Sequence, residues 1–178
     1  PIFEEDETAI ITISSVSSGA SIGGTSSQTI TITENETAPT VTLSGTASID
    51  EKTGTATITA TSSIKTDSNM TVSMTKGGTA TETTDYSLSN ITITAGATSG
   101  TSTLTPVNDT NYEGGSETVT LSIASVSGIS DASGASGTIT ITITNKALNS
   151  GTTATFNSSV ASGYLSNTEF QKIEDLSS

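Results

Sequence analysis

The sequence predicts an all-β chain built as an antiparallel β-sandwich, on three observations. Apolar residues alternate with Thr and Ser at period two, so each segment presents one face to a core and a hydroxyl face to solvent. Clusters of Gly, Asn, Asp and Ser separate the alternating runs at short, regular spacing. The same ordered pattern also returns once at domain length.

Taken in order, the first strand is predicted over residues 9–14, where Ile11 and Ile13 alternate with Thr12 and Ser14, and the second over 28–33 with Ile30 and Ile32. The Gly/Ser-rich stretch 18–24 separates them. Strands then follow over 41–44, 54–61 and 70–75, the last stopped by Lys76-Gly77-Gly78. Residues 91–94 end at Ala95-Gly96, 101–107 run towards Gly114-Gly115, and 117–125 and 138–144 flank the loop 127–137. Thr suits the exposed positions because its β-branch fits a pleated surface. Tyr86 and Tyr112, each next to an acid, are predicted to pack at a sandwich end.

Composition narrows the chemistry. Of 178 residues, 39 are Thr and 31 are Ser, while His, Cys, Trp and Arg are absent. That inventory excludes Ser-His-Asp and Cys-His catalysis and any thiolate or imidazole zinc site, leaving carboxylates and hydroxyls. A glycosidase-type acid pair such as Asp109 with Glu113, or Asp50 with Glu51, would lack an aromatic platform for a sugar, since the chain holds three Tyr and three Phe. The expectation is a non-enzyme. A formal net charge of -13 repels phosphate backbones and anionic surfaces, so nucleic acid is not expected as a partner. No run approaches the roughly 18 apolar residues of a membrane span, and no membrane insertion is expected.

The segment FEEDETAIITISSVSSG at residues 3–19 returns as YEGGSETVTLSIASVSG at 112–128, and each is followed by a Gly/Ser-rich turn and TITIT, at 29–33 and at 140–144. From Thr33 to Thr144 the spacing is 111 residues, the length of a domain. One complete unit is therefore expected over 38–146. It is preceded over 1–37 by the last two strands of another unit and followed by a tail over 147–178. A lone two-stranded hairpin exposing Ile11, Ile13, Ile30 and Ile32 is marginal in water. Either earlier residues of a longer chain or strands of another molecule complete it. The tail holds Phe156, Tyr164 and Phe170, and 167–176 has the pattern of a short helix.

The ordered motifs SIDEKTGTATITAT, GGTATETTDYSLS, ITITAGATSGTSTLTPVNDTNYEGGSETVTLSIASVSG and GTITITIT resemble a Calx-β domain across nearly all of residues 38–145. The resemblance implies a seven-stranded immunoglobulin-like sandwich of the kind found as tandem copies in bacterial surface and secreted proteins. It also implies calcium at one end of the sandwich. Carried over residue by residue, the ligands would be Glu51, Asp85, Asp109, Glu113 and Glu117, with a partial site of the preceding unit at Glu4, Glu7, Glu34 and Glu36. Calcium takes six to eight oxygens, and loops distant in sequence can supply such a shell. The last strand ends in Thr144-Asn145-Lys146, where calcium-binding members of the family end in an acidic run.

Together these readings predict a non-enzymatic extracellular or bacterial cell-surface module. It would act as spacer, adhesin stalk or filament component, stiffened by calcium, with neighbouring repeats of the same or another chain as partners. The alternatives are a regulatory calcium sensor and a fibre subunit, a homo-polymer joined by strand exchange.

Overall fold

Period-two alternation becomes strands wherever a neighbouring segment can accept the backbone hydrogen bonds. In the computed structural model, which describes residues 1–108 and 115–144, the strands in chain order are β1 (Ile2–Phe3), β2 (Glu7–Thr12), β3 (Ser27–Ile32), β4 (Thr40–Gly45) and β5 (Ser48–Asp50). There follow β6 (Ala56–Ser62), β7 (Lys65–Thr66), β8 (Met70–Gly78), β9 (Tyr86–Ser87) and β10 (Ile91–Ile93). The last are β11 (Ser99–Pro106), β12 (Glu117–Ser127), β13 (Ser133–Gly134) and β14 (Ile139–Thr144).

Residues 38–108 and 115–144 form a sandwich of two five-stranded sheets, ordered β10-β8-β12-β14-β5 and β13-β4-β6-β11-β9. All nine strands expected from alternation are present. Seven of them, β4, β6, β8, β10, β11, β12 and β14, supply the long pairings of the sandwich. The sheets depart from a purely antiparallel arrangement at their rims, where β5 runs parallel to β14 and β13 parallel to β4. These additions are two or three residues long, too short to show a period.

Inward-facing residues close the core between the sheets: Ala56, Ile58 and Ala60 on β6, Met70 and Val72 on β8, Ile91 and Ile93 on β10, Leu104 on β11, Val119 and Leu121 on β12, and Ile141 and Ile143 on β14 are all essentially inaccessible to solvent. Each buried Ile, Leu, Val or Met contributes about 1.5–3 kcal/mol relative to exposure. Buried polar groups are satisfied locally. Ser62 Oγ donates to Ile64 O at 2.7 Å and Thr66 Oγ1 donates to Ser68 O at 2.8 Å. Tyr86 is buried, the end-packing role expected for it, whereas Tyr112 lies outside the described residues.

Gly77 and Gly78 extend β8 rather than ending it. Gly78 has φ of 110°, and a Cβ there would lie 2.0 Å from Thr118 O, so only glycine permits this approach of β8 to β12. Further along, the β8–β12 ladder shifts register between Ile123 and Ser125, leaving Ala124 as a bulge.

Outside the sandwich, β2 and β3 form the expected antiparallel hairpin, with every residue of both strands exposed. Just before it, β1 leaves the hairpin and pairs in parallel with β7 of the sandwich. The expected helix over 167–176 and the rest of the tail lie outside the described residues.

Candidate functional site

Strand polarity gives the sandwich two distinct poles. At one, β6 ends at Ser62, β4 begins at Thr40, and β12 runs out into Gly128 and Ile129. At the other, β5 and β14 end together at Asp50 and Thr144, β8 ends at Gly78, and β12 begins at Glu117.

The first pole receives the N-terminal segment. Phe3 sits there in the hydrophobic core with 4% exposure, packed into the end of the sandwich. Asp67 N–H donates to Phe3 O at 3.2 Å, and Ser130 N–H donates to the Glu5 carboxylate at 2.6 Å. Behind this contact lies an open depression of about 440 Å³, lined by Glu4, Glu5, Asp6, Glu34, Glu36 and Asp131 with Phe3, Ala38 and Ser130. Three of its carboxylates, Glu5, Asp6 and Glu34, are engaged by backbone amides. Glu34 accepts from the N–H groups of Asn35 at 2.7 Å and Glu36 at 2.8 Å through one oxygen, and from Glu4 N–H at 2.5 Å through the other. Asp6 Oδ1 accepts from Glu34 N–H at 2.8 Å.

Those contacts set the acidities. Hydrogen bonds from the Glu36 side chain and from the Glu36 and Glu4 backbone hold the Glu34 carboxyl down to about 2. Its partner Glu36 is raised, first by the shared hydrogen bond and then by desolvation and the Glu34 charge. Ser130, through its backbone N–H first, lowers Glu5.

The opposite pole carries the described members of the expected calcium set. Glu51 follows the end of β5, and its N–H donates to Thr144 O at 3.1 Å. Glu117 opens β12 opposite Ile143. Asp85 is buried, its Oδ2 accepting from Thr81 N–H at 2.5 Å and its carbonyl from Val107 N–H at 2.9 Å. Asp109, Glu113, Asn145 and Lys146 lie outside the described residues.

The structure therefore gathers Glu4, Glu34 and Glu36 at one pole and brings Glu51, Asp85 and Glu117 to the other. Glu7, at the start of the exposed β2, does not line the depression. Among the described residues no three carboxylates converge on a point where a metal ion could sit. At the first pole Glu5, Asp6 and Glu34 already accept from amide donors, which stabilises those anions without a cation. Sequence reasoning missed Phe3, Glu5, Asp6, Ser130 and Asp131 as partners. The one available signal was an isolated aromatic heading an acidic run, FEEDE.

No family model and no curated protein matches the chain. Among solved structures the chain is similar to the apo-form Calx CBD1 domain, at 14% identity over 60% of this chain and 98% of that one, with a TM-score of 0.49. It is similar to CBD12 from CALX1.2 at 14% identity, covering 60% of this chain and 45% of that one, with a TM-score of 0.49. A two-domain protein of unknown function from Bacteroides fragilis aligns at 12% identity over 61% of this chain and 45% of its own, with a TM-score of 0.44.

Proposed function

We propose that the chain is a non-enzymatic extracellular module of a tandem array, acting as spacer, adhesin stalk or filament component. One observation carries this reading. The hairpin β2–β3 repeats the pairing of β12–β14 residue for residue: Glu7 faces Ile32 as Glu117 faces Ile143, Ala9 faces Ile30 as Val119 faces Ile141, and Ile11 faces Gln28 as Leu121 faces Ile139. A second copy of the closing strand pair, attached at the pole opposite the first, is what a head-to-tail array presents at each boundary. The acidic charge keeps such arrays soluble and apart, and the missing His and Cys support a structural rather than catalytic role.

The test is an extended chain in which a second copy of residues 38–111 precedes Ile2. The expected product folds two sandwiches, with Ile11, Ile30 and Ile32 protected from solvent and a scattering length increased by one unit. An extension that stays unfolded beside an intact sandwich sinks the repeat reading.

Calcium is the finer part of the proposal. Glu51, Asp85, Asp109, Glu113 and Glu117 would hold it at the pole opposite the hairpin. Support comes from the placement of Glu51 just after β5 and of Glu117 at the start of β12, both at that pole. A ligand at 100 times its Kd adds about 2.7 kcal/mol. A thermal midpoint raised by millimolar calcium over chelator, with the rise abolished by Glu117→Ala, supports the ion there. Equal midpoints remove calcium from the reading and with it the sensor alternative.

A further inference from the structure

Residues 2–6 stand before β2 as residues 112–116 stand before β12, so on the repeat reading they are a loop of the unit that the hairpin closes. That loop is bound at both ends of its reach. Glu4 N–H and Asp6 Oδ1 hold it to Glu34 at the hairpin's exit. Phe3, meanwhile, is buried in the next sandwich, β1 pairs with β7, Asp67 N–H donates to Phe3 O, and Glu5 accepts from Ser130 N–H.

We propose that residues 2–6 are an inter-unit plug. A loop of one sandwich inserts its aromatic into the base of the next, so consecutive units are joined at two points, the covalent linker 33–39 and the Phe3 socket. Two attachments fix relative orientation where one linker leaves it free, and both are made of peptide contacts that need no cation. The inference rests on the repeat reading of the preceding section.

The exposed face of the hairpin commits to one occupant, strands with the pattern of residues 38–108 preceding it in the same polypeptide. An intact second copy is a poor host, because its slot between β8 and β5 is already filled by β12–β14, in which Val119 offers more apolar surface than Ala9. Two hairpins packed face to face would bring together Ile11, Ile13, Ile30 and Ile32 from each, on two six-residue strands, where a stable interface engages roughly 20–30 residues a side.

The experiment is amide hydrogen exchange with ¹⁵N relaxation on the full chain, in chelator and in millimolar calcium. The expected result is one rotational correlation time for the amides of β2, β3, β12 and β14. Phe3→Ala should speed exchange at Asp67 and Ser130 at least tenfold and let the hairpin tumble separately, in both buffers alike. Should Phe3→Ala unfold the sandwich, Glu5→Ala tests the same joint from its rim, releasing Ser130 without opening the core. A hairpin that tumbles independently in the unaltered chain, exchange unchanged by both variants, or coupling that appears only with calcium each overturns the plug. The extended chain separates the two readings. Two folded sandwiches whose relative orientation ignores Phe3→Ala reject the plug and keep the repeat, whereas an extension that leaves the hairpin exposed rejects the repeat itself.

Discussion

Hairpin β2–β3 and strands β12–β14 share pairing, alternation and hydroxyl-rich outer faces, yet Ile141 is fully buried while its counterpart Ile30 is 45% exposed. Nothing within the two strand pairs accounts for the difference. It comes from their neighbours. β12 is flanked by β8 and β14 by β5, and the facing sheet covers both, whereas β2 and β3 have only each other. Alternation therefore specifies which side of a strand is apolar and which residues pair, and long-range neighbours decide whether that side contributes stability.

Matched truncations break this comparison most sharply. Leu121→Ala is expected to cost about 2–5 kcal/mol in thermal or urea unfolding, while Ile11→Ala, its counterpart, should fall within about 0.5 kcal/mol of the parent. Equal effects would mean that the hairpin is covered in solution. In the extended chain Ile11→Ala should become as costly as Leu121→Ala, which turns the same pair of measurements into a test of what covers the hairpin.

Next in size is Gly78→Ala, which forces a Cβ against Thr118 O in a left-handed backbone. A loss of about 1–3 kcal/mol is expected. Its absence would show that the β8–β12 ladder can slip without penalty, which the close approach of Gly78 to Thr118 should forbid.

The smallest effect is in acidity. Glu34 is expected to titrate near 2 in carboxyl ¹³C spectra and Glu36 above the ordinary glutamate value. For Glu5 and Glu34, whose values are depressed in the folded chain, the stabilisation is full above about 4.5 and lost as pH falls through their folded values. Glu36 acts in the opposite sense, stabilising below about 4.5 and losing that contribution as pH rises through its raised value. The Ser130 amide shift should therefore stay constant from neutral pH down to the ordinary glutamate value of about 4.5 and move only as pH falls below it, with the sandwich core unaffected.

Much of this molecule is legible in its sequence. Ile58, Val72, Val119 and Ile141 each sit in a run long enough to show period two, and the hairpin's exposed isoleucines follow from the same pattern. β5, β7, β9 and β13 were not legible, since two or three residues display no period. Nor was the first pole. Its parts come from Glu5, Asp67 and Ser130, which lie 62 or more residues apart in sequence, and Phe3 offers a single aromatic rather than a pattern. At the other pole, residue types suggested an ion site, but whether a carboxylate faces a cation or an amide depends on loop geometry. Asp85 shows this, spending an oxygen on Thr81 N–H.

The parallel contact of β14 with β5 has a mechanical meaning. Strand β5 lies near the entry of the chain into the sandwich, and β14 forms its exit, paired through Ser48, Ile49 and Asp50 with Thr142, Ile143 and Thr144. Tension applied at the two ends would drag these strands past one another in opposite directions, loading their hydrogen bonds side by side instead of opening them one after another. A sandwich strung into a line through these strands would resist stretching as a clasp does, whereas β2–β3, paired only with each other among the described residues, carry no such clasp.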